Sequence, residues 1–132
     1  MKLYRQKRGT SQVKTKYQQG MHGQDEAEIF LKSKNYKILE RNYRIRTGEI
    51  DLIARDGSFI VFIEVKYRRS VSYGFPREAV GRVKQEKIIR TAMHYIATKK
   101  LENQDCRFDV VEVLHQNGNI HINHIENAFA VS

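Results

Sequence analysis

The sequence predicts an α/β domain of the α+β kind: a mixed sheet flanked by helices, in the order helix, three strands, helix, two strands (αβββαββ). Three observations carry that expectation. Two β-rich runs, residues 49–54 and 59–67, flank an Asp-Gly pair, which is a strong hairpin signal. A long stretch of helical periodicity separates this hairpin from a later strand, so the return to the sheet calls for a right-handed parallel crossover. And 132 residues with one proline suit one modest core.

Residues 1–19 read as a basic tail that is disordered in isolation, and residues 20–132 as the domain. Six basic residues (Lys2, Arg5, Lys7, Arg8, Lys14 and Lys16) precede the first acidic one, Asp25, so most of the net charge of +9 lies there. Such a tail is either a phosphate-seeking arm or a solubilising leader with no partner. Residues 23–34 suit a helix: Ala27, Phe30 and Leu31 form an apolar stripe, Asp25 and Glu26 sit in the first turn, and Asn35 can stop it. A strand over 36–46 turns at Thr47-Gly48 into the hairpin. Residues 68–75 read as a polar loop. Pro76 can open a second helix running to about residue 100, with Val80, Val83, Ile88, Ala92 and Ile96 near helical spacing. A strand over 107–114 and a final strand over 119–125 are joined at Asn117-Gly118.

No apolar run is long enough to cross a membrane, and the basic N-terminus has no apolar segment behind it. The one cysteine, Cys106, has no internal partner and reads as a small packing residue, which fits a reduced, cytoplasmic setting. His121 and His124 are three apart in a predicted strand and so face opposite sides, which argues against a shared zinc site.

The chemistry concentrates in the hairpin. With Arg55 opposite Ser58, Asp51 falls opposite Phe62 and Glu49 opposite Glu64. Glu49, Asp51, Glu64 and Lys66 then share one face, while Ile50, Leu52, Ala54, Val61, Ile63 and Val65 face a core. Three carboxylates repel one another unless a cation compensates them, and hard divalent cations prefer carboxylate oxygens. A lysine beside them can orient or deprotonate a water, or hold a phosphate. Spacing alone equally allows a solvated face on which Lys66 bridges Glu49 and Glu64.

The segments Gly48-Glu49-Ile50-Asp51-Leu52-Ile53-Ala54 and Phe62-Ile63-Glu64-Val65-Lys66-Tyr67-Arg68 resemble the YraN family of uncharacterised bacterial proteins. Asn35-Tyr36-Lys37-Ile38-Leu39, Gly74-Phe75-Pro76, Arg107-Phe108-Asp109-Val110-Val111 and Ile125-Glu126-Asn127-Ala128-Phe129 extend the likeness over about residues 20–130. That family is similar to archaeal Holliday-junction resolvases and carries a PD-(D/E)xK nuclease signature. The resemblance implies a restriction-endonuclease-like core and hydrolysis of DNA phosphodiester bonds with Mg²⁺ or Mn²⁺, with branched or junction DNA as a candidate substrate. It implies Asp51, Glu64 and the Val65 carbonyl as metal ligands, Lys66 as the residue that positions the attacking water, and Glu49 as an auxiliary acid. One departure stands out: the family shows Gly-Glu at the start of its first helix, where this chain has Gly23-Gln24. Gln24, or Glu28 one turn later, is the remaining candidate ligand.

Arg68, Arg69, Tyr73, Lys84 and Lys87 are the candidate contacts to nucleic acid. The alternatives to an endonuclease are a nucleic-acid-binding module with a degenerate site and a docking partner in a DNA-processing assembly. A homodimer is a further expectation, through apolar residues near Phe129 and Val131.

Overall fold

The structure, a computed structural model, describes residues 2–5, 16–68 and 80–131. Its elements are β1 (Lys2–Arg5), α1 (Lys16–Ser33), β2 (Lys37–Ile45), β3 (Gly48–Asp56), β4 (Phe59–Arg68), α2 (Arg82–Lys99), β5 (Asp105–Gln116) and β6 (Asn119–Phe129). The strands form one sheet in the order β1-β6-β5-β4-β3-β2. Only β4 and β5 run parallel; the other described neighbours are antiparallel. After β1 the order is the αβββαββ expected from the sequence, and it is compatible with a restriction-endonuclease-like fold. No helix among the described residues is long and apolar enough to cross a membrane.

The central strands are apolar on both faces because a helix covers each face. Under α1, Ala27, Phe30 and Leu31 pack with Leu52, Ala54, Val61, Ile63, Val111 and Val113. Under α2, Ile88, Ala92 and Tyr95 pack with Ile53, Ile60, Phe62, Phe108 and Val110. The sequence reading assigned one hairpin face to a core and left the other polar. In the fold the second face is polar only at one end.

Two local features depart from that reading. The hairpin turns at Gly57-Ser58, with Gly57 at φ 58°, so Asp56 pairs with Phe59 and Leu52 with Ile63. The register is two residues from the expected one, and a shift of two keeps every side chain on its face. Ile50, however, packs under α2 with Ile53 rather than under α1 with Leu52, so the strict alternation assumed for β3 breaks between Ile50 and Leu52. Asn42 on the paired strand β2 has φ 51°, a left-handed conformation that bends the strand where the alternation changes.

The helix boundaries also moved. Two described segments fall in the expected tail: β1 pairs with β6, and α1 begins at Lys16, seven residues before Gly23. Gly23 looked like a helix start, but it lies within α1 for a packing reason. A Cβ there would stand 2.8 Å from Tyr67 Cδ2, so its absence lets the helix settle on β4. The second helix starts at Arg82 after an extended Gly81, and the expected opening at Pro76 lies outside the described residues. Cys106, expected to pack, is exposed at the start of β5.

The face of β5 that α1 covers carries a buried polar network. Asp109, fully buried, accepts from Arg107 Nε at 2.9 Å and from the Asn127 N–H at 3.0 Å. Its second oxygen lies 2.7 Å from His124 Nε2. Lys34 Nζ stands 2.9 Å from His124 Nδ1. An ammonium can only donate, so Nδ1 accepts and Nε2–H points at Asp109. Asn127, at φ 51°, lies in the irregular stretch of β6 that this carboxylate secures.

Candidate active site

The site forms where β3 and β4 part. Their ladder runs from the turn to Leu52 and Ile63. Beyond it the Val65 N–H donates to Asp51 Oδ2 at 2.8 Å, so a carboxylate takes the place of a strand carbonyl. A residue's N–H and C=O point to the same side of an extended strand. The Val65 carbonyl is therefore aimed toward β3 as well.

Alternation along β4 places Glu64 and Lys66 after Phe62, on the side that α2 covers. Glu64 is buried, at 6% exposure. Lys84 Nζ, from the first turn of α2, lies 2.5 Å from Glu64 Oε1, and Lys66 Nζ lies 3.8 Å from the same atom. Two carboxylates and two ammonium groups thus meet at the end of the α2-side core.

The electrostatics follow from that crowding. Burial, reinforced by the negative charge of Glu64, pushes the Asp51 carboxyl up to about 7. Burial and the neighbouring Lys84 charge pull Lys66 below the usual lysine range. Burial also works against the charge on Lys84, but its hydrogen bond and attraction to Glu64 outweigh this and raise it.

The other expected residues are placed apart. Glu49 accepts from Asn42 Nδ2 at 3.3 Å and from Arg44 at 3.1 Å. Asn42 and Gln24 exchange amide hydrogen bonds of 2.8 and 3.2 Å, so Gln24 of α1 reaches Glu49 only through Asn42. Glu28 is ion-paired with Arg41 and, at 3.2 Å, with Lys32. Lys87 is exposed on α2, and Arg68 is exposed at the end of β4. Arg69 and Tyr73 lie outside the described residues.

One buried acid, Glu112, shares a strand face with Phe108 and Val110 in the sequence but was given no role there. Glu112 sits beside Lys66 in the parallel register and, at 4% exposure, accepts from Asn123 Nδ2 at 2.6 Å. The signal was present: Phe108, Val110 and Glu112 alternate along β5, and the first two line the core under α2.

The donor set suits a particular kind of cation. No group of three or more His, Cys, Asp or Glu side chains among the described residues is placed to hold a metal ion. Asp51 and Glu64, with the Val65 carbonyl, make a sparse, all-oxygen set. Mg²⁺ is commonly bound this way, by one or two carboxylates with water and substrate phosphate completing the shell. The raised Asp51 pKa comes first from burial and then from the neighbouring Glu64 charge, both of which a bound cation would offset.

Comparison with known sequences adds the lineage. The family model described as "Uncharacterised protein family UPF0102" matches residues 23–113. A UPF0102 protein of Clostridium acetobutylicum is 50% identical over 114 residues, covering 85% of this chain and 93% of its own. One from Syntrophus aciditrophicus is 47% identical over 113 residues, covering 86% and 89%. One from Alkaliphilus metalliredigens is 52% identical over 101 residues, covering 76% and 87%.

Proposed function

This chain belongs to the uncharacterised protein family UPF0102, the YraN family whose motifs its sequence carries, and from that premise we propose that it is a metal-dependent endonuclease hydrolysing DNA phosphodiester bonds. The observation that carries the reading is the meeting of Asp51 and Glu64 at the parting of β3 and β4, with Lys66 on the same acid.

Asp51, Glu64 and the Val65 carbonyl are the residues that would hold Mg²⁺ or Mn²⁺, which supplies charge stabilisation at the phosphoryl group. Lys66, half-buried and with a lowered pKa, is suited to orient an attacking water or take its proton at Nζ. The Val65 N–H fixes the Asp51 carboxylate, so the acid is held by backbone. Lys87 and Arg68, exposed on α2 and at the end of β4, are suited to contact the phosphate backbone.

The test is cleavage of labelled linear, flapped and four-way-junction DNA with Mn²⁺, Mg²⁺ or chelator, with Glu64→Ala prepared in parallel. Metal-dependent cutting that falls by at least about 10²-fold in Glu64→Ala is expected. A second reading, a binding module that does not cut, is favoured by Gln24, whose amide is committed to Asn42. DNA binding that persists in chelator and is indifferent to Glu64→Ala, with no cutting in any metal, is the outcome that selects it.

A further inference from the structure

Lys84 was expected to reach outward to phosphate. Instead its ammonium lies 2.5 Å from Glu64 Oε1, against a carboxylate that is 6% exposed. The position is a poor one for a lysine on helix grounds alone. The first turn of α2 contains no acid, and a cation there opposes the partial positive charge of the helix N-terminus. The pairing with Glu64 offsets that cost. Lys66 stands farther from the same oxygen, at 3.8 Å, so Lys84 is the closer cation.

We propose that Lys84 is the built-in counter-cation of the Asp51–Glu64 pair in the metal-free protein, and that it competes with a divalent ion for Glu64. This rests on the functional reading above. The ammonium sits on one of the two Glu64 oxygens, so an ion drawn to this carboxylate meets a competing positive charge there. Lys84 remains half exposed, with a side-chain exposure of 48%, and a displaced ammonium has solvent and phosphate within reach. The lysine thus keeps two carboxylates together before metal arrives and contributes a phosphate contact afterwards.

The experiment is a calorimetric titration of Mn²⁺ into the wild type, Lys84→Met and Arg82→Met, with circular dichroism confirming the fold of each. Arg82 is a control for charge: it lies in the same turn, pairs with Glu86 at 3.5 Å and does not touch Glu64. If Lys84 holds the site about nine-tenths of the time, removing it tightens Mn²⁺ binding about tenfold. Arg82→Met is expected within about twofold of wild type, because an exposed charge is largely screened. In chelator, Lys84→Met is expected to melt below wild type, and the gap to close at saturating Mn²⁺. Lys84→Gln, which keeps a donor for Glu64 without the charge, serves if the methionine variant does not fold.

Unchanged or weaker Mn²⁺ binding in Lys84→Met overturns the proposal, as does an equal gain in Arg82→Met. Wild-type binding with no gain in Lys84→Met sinks this inference and leaves the nuclease reading standing. If neither wild type nor Lys84→Met, both folded, binds Mn²⁺, the nuclease reading fails and this inference falls with it.

Discussion

The residue that reports most directly on the site is Asp51. Its carboxyl titrates near 7 in the metal-free fold, against an ordinary value of 3.8. Between those values the folded chain keeps a proton that the unfolded chain has released. The stability this confers is complete below about pH 4 and is lost as pH rises to about 7. Asp51→Asn has no such titration, and its amide oxygen can still accept from Val65. In chelator, the melting temperature of Asp51→Asn relative to wild type should therefore be higher at about pH 8 than at about pH 5. An equal difference at both values would mean that Asp51 is not held protonated. Metal binding by the wild type should also weaken below about pH 7, because the ligand must first lose its proton.

Asp51, Glu64 and Lys66 were legible in the sequence because strand parity survives a two-residue error in register. Glu49, expected on the same face, is hydrogen-bonded to Asn42 and Arg44 instead, and it acts on Asp51 only through its charge. Parity holds only along an unbroken pleat, and the pleat breaks near Asn42 and Ile50. Nothing in the composition of β2 announced that Asn42 would adopt φ 51°. Lys84 was picked out as a cation near phosphate, but periodicity along a helix carries no information about which strand that helix faces.

Among the elements, α2 is seated on β3 with little tolerance. A Cβ at Gly48 would collide with Thr91 Oγ1 and stand 3.2 Å from the Lys87 carbonyl. Gly48→Ala should cost about 1–3 kcal/mol, measured by urea unfolding, because the helix must back away from the strand. The same retreat should loosen the Lys84–Glu64 pair. Loss-free unfolding of Gly48→Ala would show that this seam can breathe. The strands were legible to within a few residues because alternation and turn residues coincide, as at Asn117-Gly118, with φ 53° and 76°. The helix starts were not, since Gly23 served close packing rather than termination.

Across the whole molecule, the candidate site and the Asp109 network lie on opposite faces of the central strands, Glu64 beside Val110 and Asp109 beside Ile63, and divide the labour between chemistry and cohesion. Burial opposes the charge of Asp109, but hydrogen bonds from His124 and Arg107 outweigh it, and its pKa is lowered. The stability it contributes is present above the ordinary aspartate range and lost as pH falls through the folded value. Asp109→Ala should destabilise by about 3–5 kcal/mol, since it leaves Arg107 buried without that partner. Asp109→Asn should flatten the acid side of the stability profile. A variant as stable as wild type across acid pH would show that the network is ornamental.

The parallel pairing of β4 with β5 has a kinetic corollary. The hairpins β2-β3-β4 and β5-β6 are local in sequence, whereas the ladder between β4 and β5 must wait for the chain over residues 69–104 to close. Contacts of that span form slowly, so the two hairpins are expected to arise as separate early units. Asp51 and Glu64 belong to the first of them, and Lys84 arrives with the crossover helix. During folding the acids therefore face each other with only Lys66 beside them until Lys84 docks with α2.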